Sequence, residues 1–167
     1  MSATVLVPVR RSLATVTATR DSPVPSFAIG NRATGDRVRA AIINAGFAVP
    51  TGTVRVDAPD AHGIDLAVAL AVLLADPAHV HLRQPNLVAF GGLALDGTAT
   101  PTDPPDIEDL PPGPWVARFW RPTDHIPEPG EDAVLTMTEV ATLAIAWDVL
   151  VKLLEIERRL AGERTTI

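Results

Sequence analysis

Residues 64–74 read IDLAVALAVLL, a run in which Asp65 is the only polar residue. A helix with that composition has no face to offer water, so it belongs inside a sandwich of other elements. The remaining residues must supply those elements. With 167 residues, 47% of them apolar and 20% charged, the chain can bury one sizeable core but is too short for two ordinary domains. A single domain spanning 1–167 is expected.

The flanking segments read as the covering layers. Residues 3–9 and 12–20 are rich in Val and Thr and predict two strands joined around Arg10 and Arg11, so a hairpin opens the domain. A short strand is expected at 26–29, after the prolines at 23 and 25. From Thr34 the spacing of Val38, Ala41, Ile42 and Ala45 predicts a helix, with Thr34 as its N-cap and Gly46 at its stop. TVRVD at 53–57 alternates as a strand. Residues 86–95 read as a strand that returns through a two-residue Asp96-Gly97 turn. WVARFW at 115–120 stands as one strand within a proline-rich, irregular stretch over 101–130. A last strand is expected at 133–137, and an apolar-rich helix over 138–161, with Arg158 and Arg159 near its negative end.

Charge and composition bound the function. Cysteine is absent, which removes disulfides and thiolate chemistry and fits a cytoplasmic location. The opening residues place an apolar run before the arginines, the reverse of a secretory signal, and no apolar stretch reaches membrane-spanning length. A formal charge of −6 opposes wholesale nucleic-acid binding, yet residues 1–40 hold six arginines against Asp21 and Asp36. Arg32, Arg37 and Arg39, with Arg10, Arg11, Arg20 and Arg55, are candidates for a face that takes phosphate or an acidic partner. Nucleic acid stays open as a partner on that ground. His62 lies between Asp60 and Asp65; the pair His62 and Asp65 reads either as the polar site of a small hydrolase or as a loop with Asp65 capping the next helix. His79 and His81 read as a solvated loop, and no cofactor or metal is called for. Leu150, Leu153 and Leu154 mark the apolar stripe of the last helix and are candidates for an interaction surface.

Taken in order, SFAIG, then GDRVRAAIINAGFAVPTGTVRVDAPDAHGIDLAVALAVL, then LVAFGGLALDGTATP resemble the amino-terminal, Lon-protease-like domain of magnesium-chelatase-related (ComM-type) proteins over residues 1–102. The matching pieces are Ala45-Gly46-Phe47-Ala48-Val49-Pro50, Asp65-Leu66-Ala67-Val68-Ala69-Leu70, and Gly91 or Gly92 through Gly97. The resemblance implies an α+β fold, a mixed sheet packed by helices, like the Lon proteolytic domain and the second domain of ribosomal small-subunit protein five. It also implies a catalytic serine just before the 65–70 helix, near Gly63, and a lysine after the 91–97 segment. Neither residue is there: no serine follows Ser26, and Lys152 is the only lysine. The nearest approach to a phosphate loop, Gly30 to Arg37, carries Asp36 where a lysine is required. The expectation is a non-catalytic accessory domain that assembles with itself or with a separate ATPase.

Overall fold

The computed structural model describes residues 2–9, 12–22, 26–29, 32–49, 52–82, 87–103, 113–119 and 135–164. Arg10, Arg11, Trp120 and most of the proline-rich 101–130 stretch lie outside the described residues. The opening hairpin is present as β1 (Ser2–Val9) and β2 (Ser12–Ser22), paired antiparallel from Ser2↔Thr19 to Val9↔Ser12. Its alternation buries Ala3, Val5, Val7, Val16 and Ala18 on one face and leaves Thr4 and Thr15 exposed on the other, as a half-covered sheet requires.

Five further strands extend this hairpin: β3 (Ser26–Ile29), β4 (Thr53–Asp57), β5 (Leu87–Phe90), β8 (Trp115–Phe119) and β9 (Leu135–Glu139). The order is β3-β4-β2-β1-β5-β8-β9, with β3 parallel to β4, β1 parallel to β5, and the other neighbours antiparallel. The fold is thus α+β, with a mixed sheet packed by helices. A separate small ladder joins β6 (Gly92–Leu93) to β7 (Ala99–Thr100).

The helix layer comprises α1 (Arg32–Asn44), α2 (Asp65–Leu74), a short 3-10 turn (Pro77–Leu82) and α3 (Leu143–Arg164). Every residue of α2 is buried, as its all-round apolarity demands. It lies over β1, β2 and β5, with α1 on one flank above β3 and α3 on the other above β8. Among the described residues no helix is long and apolar enough to cross a membrane.

The structure differs from the expectation at four places. Thr34 does not cap α1: the helix starts at Arg32, and Thr34 is buried within its first turn on the stripe of Val38 and Ala41. The 86–95 segment is not one strand, because at Gly91 the backbone leaves the sheet. Its N–H donates to the Gly63 carbonyl at 2.9 Å and its carbonyl accepts the Leu66 N–H at 3.1 Å, so it ties the entry to α2 instead. The β6–β7 turn closes over residues 94–97, where the Gly97 N–H donates to the Ala94 carbonyl, and is wider than Asp96-Gly97 alone. There the Thr98 N–H donates to the Asp96 carboxylate at 2.8 Å, which holds that carboxyl below its ordinary value.

The fourth difference is the start of α3, expected at 138. Residues through Glu139 pair with β8 instead, and the helix begins at Leu143 behind Thr142, whose hydroxyl accepts the Ile145 N–H at 3.1 Å. Thr142 is therefore the N-cap. Thr142→Ala is expected to lower stability by about 1 kcal/mol in urea unfolding. An unchanged midpoint would mean that water serves the Ile145 amide equally well.

Candidate functional site

Position 37 on α1 is three residues from buried Thr34 and four from buried Ala41, so its side chain leaves the helix on the packed side. A guanidinium turned toward the layer below needs an anion. The entry to α2 supplies one: Arg37 Nε donates to Asp65 Oδ2 at 2.8 Å and Arg37 Nη2 to Oδ1 at 3.3 Å, a two-pronged pair. The Leu93 N–H also points at Oδ2, at 3.4 Å. Asp65 keeps only 12% of its side-chain surface, whereas Arg37 keeps 39%, so the carboxylate is the member most dependent on its partners. The hydrogen bond to Asp65 raises the pKa of Arg37, with burial opposing. One carboxylate thereby ties together α1, the first turn of α2 and β6.

Asp65 does not cap α2 through its side chain, contrary to the sequence reading. The residue preceding the helix is Ile64, which has no side-chain cap bond, and Asp65 is the first helical residue. There a negative charge also suits the positive end of the helix dipole. Nor does Asp65 join His62, which is exposed in the loop before it. Asp65 is engaged by Arg37 instead.

Just ahead of Asp65, Gly63 adopts φ 74°. A Cβ built on Gly63 would overlap three ring carbons of Phe90, and the Phe90 ring is itself packed against Trp115. By the resemblance a nucleophilic serine belongs close to this point. The space is occupied by an aromatic ring, and the backbone conformation favours glycine.

Among the described residues the arginine candidates do not gather, and Arg10 and Arg11 lie outside those residues. Arg37 is turned to Asp65, Arg20 meets Asp76 at 3.5 Å, and Arg32 meets Asp36 at 3.9 Å in full solvent. Arg32 and Arg39 are seven residues apart and share the outer stripe of α1, away from Arg37. Arg55 is exposed on β4. The histidines are likewise separated in role. His79 sits in the 3-10 turn, its Nδ1 2.8 Å from the Leu73 carbonyl, and its ring meets Trp147 edge-on at 4.8 Å. Trp147 also meets Phe47 at 5.7 Å, so it clamps α3 to the layer's other connections. Among the described residues no three histidine or acidic side chains form a metal-binding group.

The interaction stripe expected on α3 needs correction. Leu150 and Leu154 are buried within the domain, on one stripe with Leu143 and Ala146, and Leu153 is half-buried. Among the described residues, the large apolar side chains left in water on this helix are Ile145 and Ile156. Beside them runs a charged row, Asp148, Lys152, Glu155 and Arg159, all exposed. That row was readable from the sequence as i, i+4, i+7 and i+11 positions, but which side of the helix faced out was not. No protein-family model matches the chain, and no curated protein matches it significantly.

Proposed function

We propose that this chain is a non-catalytic scaffold or accessory domain of the ComM-like, magnesium-chelatase-related type, with a Lon-like version of its α+β fold, and that it assembles in the cytoplasm with itself or with a separately encoded ATPase. The observation that carries this reading is at the entry to α2. Where the resembling proteases need a serine hydroxyl, this chain has Gly63 at positive φ under the Phe90 ring, and next to it the Arg37–Asp65 pair holds helices together. The lone lysine, Lys152, is an exposed residue of α3 and does not lie in the segment directly after residues 91–97. A serine–lysine dyad needs both groups in hydrogen-bond reach of each other. The residues at this point are committed to packing.

The nucleic-acid reading calls for clustered arginines, and among the described residues these are paired with carboxylates or set on different faces. The small-hydrolase reading calls for His62 and Asp65 in one cleft, and Asp65 is engaged by Arg37. Assembly is left as the reading with support: two helix faces carry charge and exposed isoleucine outward.

The test is affinity capture of the tagged protein from lysate of its native host, with and without nuclease, read by mass spectrometry. Recovery of a P-loop ATPase, or of the untagged chain itself, in both halves is the expected result. Partners that vanish with nuclease would replace the reading with a nucleic-acid accessory; hydrolysis of a peptide or ester by the purified chain would replace it with an enzyme.

A further inference from the structure

α1 and α3 flank the fully buried α2 on opposite sides, α1 above β3 and α3 above β8, and the sheet order sets those two strands far apart. Each flanking helix carries an exposed charged row. On α1 it is Arg32, Asp36 and Arg39, followed by exposed Ile43; on α3 it is Asp148, Lys152, Glu155 and Arg159, bordered by exposed Ile145 and Ile156. The two rows share one spacing, steps of four, three and four residues, which keeps each row on one side of its helix. Their signs are opposite: plus, minus, plus on α1 and minus, plus, minus on the first three positions of α3. Laid side by side in parallel, Arg32 opposes Asp148, Asp36 opposes Lys152 and Arg39 opposes Glu155. Laid antiparallel, Arg39 meets Asp148 and Arg32 meets Glu155 while Asp36 and Lys152 slip by one residue, about 1.5 Å, so only the parallel arrangement brings all three pairs into register.

We propose that α1 of one copy docks on α3 of a second copy through these rows, with Ile43, Ile145 and Ile156 closing the apolar part of the contact. The inference rests on the assembly-module reading and names its surface. Because the two rows lie on opposite flanks, the contact is head-to-tail: it repeats from copy to copy and yields a ring or an open chain. The Arg32–Asp36 pair within α1 does not compete strongly, since both side chains are largely in solvent and such a pair contributes little. Charge matching of this kind also selects partner and register and weakens as salt rises.

Sedimentation velocity on the full chain, from micromolar to submillimolar concentration, reads the outcome. Wild type is expected to grow in mass with concentration at low salt and to dissociate at high salt. Arg39→Glu and Glu155→Arg are each expected to weaken association about tenfold, since each sets like charges face to face. Mixing the two single variants restores assembly, because Glu at 39 then meets Arg at 155 in one contact and the native pair meets in the other. The combined variant restores it too, which separates lost docking from misfolding. A wild type that stays monomeric throughout, or single variants that associate like wild type, overturns the proposal. Those results leave the accessory reading standing if the ATPase is still captured; absence of any captured partner together with measurable hydrolysis removes both.

Discussion

Gly63→Ser is expected to destabilise the protein by about 2–5 kcal/mol, and not to create a hydrolase. Two costs add. A non-glycine residue held at positive φ loses about 1–2 kcal/mol, and a side chain forced into packed space loses about 1–3 kcal/mol more. At Gly63 both apply, because φ is 74° and the Phe90 ring occupies the Cβ position. Phe90 is almost fully buried, so it has little room to move aside. Urea unfolding of Gly63→Ser, Phe90→Leu and the double variant measures the overlap directly. Shortening Phe90 costs stability by itself but gives the new side chain space, so the double variant should lose less than the two singles summed. Strict additivity would place the strain elsewhere. Peptidase assays on each variant should stay at background.

Removing Arg37 is the second large effect. Arg37→Met leaves the Asp65 carboxylate nearly buried with one long contact, the Leu93 N–H, and a loss of about 2–4 kcal/mol is expected. The reverse change is milder. Asp65→Leu frees a guanidinium that already keeps 39% of its side-chain surface and can swing to water, so about 1–2 kcal/mol is expected. The double variant, with no charge stranded, should lose less than the singles combined. A symmetric pair of losses, or additive ones, would show that the pair does not hold α1 to α2. The asymmetry follows from unequal burial, which no inventory of charges would reveal.

Much of this architecture was legible in the chain. The 64–74 run had to be buried, since an apolar circumference leaves water no polar face, and α2 is buried at every position. Val/Thr alternation marked the opening hairpin, and Gly46 follows α1 with φ 87°. What went astray depended on distant partners. Thr34 looked like a cap, but the stripe it shares with Val38 and Ala41 packs inward. Residues 86–95 looked like one strand because local pattern cannot register that Gly91 is claimed by Gly63 and Leu66. Thr138 looked like a helix start until β8 claimed it as a strand partner, leaving the cap to Thr142.

The candidate site divided in the same way. The sequence by itself determined what chemistry was missing: no serine after Ser26, no cysteine, and a single lysine, which are facts of composition that no folding can alter. It also determined the charge rows, since helical spacing is periodic. Only the tertiary structure decided which arginine turns inward, that Asp65 serves Arg37 and not His62, that Leu150 and Leu154 pack inside while Ile145 and Ile156 stay in water, and that Phe90 fills the space beside Gly63. The physical reason is that periodicity gives the faces of a helix, whereas the choice between faces is made by what lies across from them, and those partners are tens of residues away in the chain.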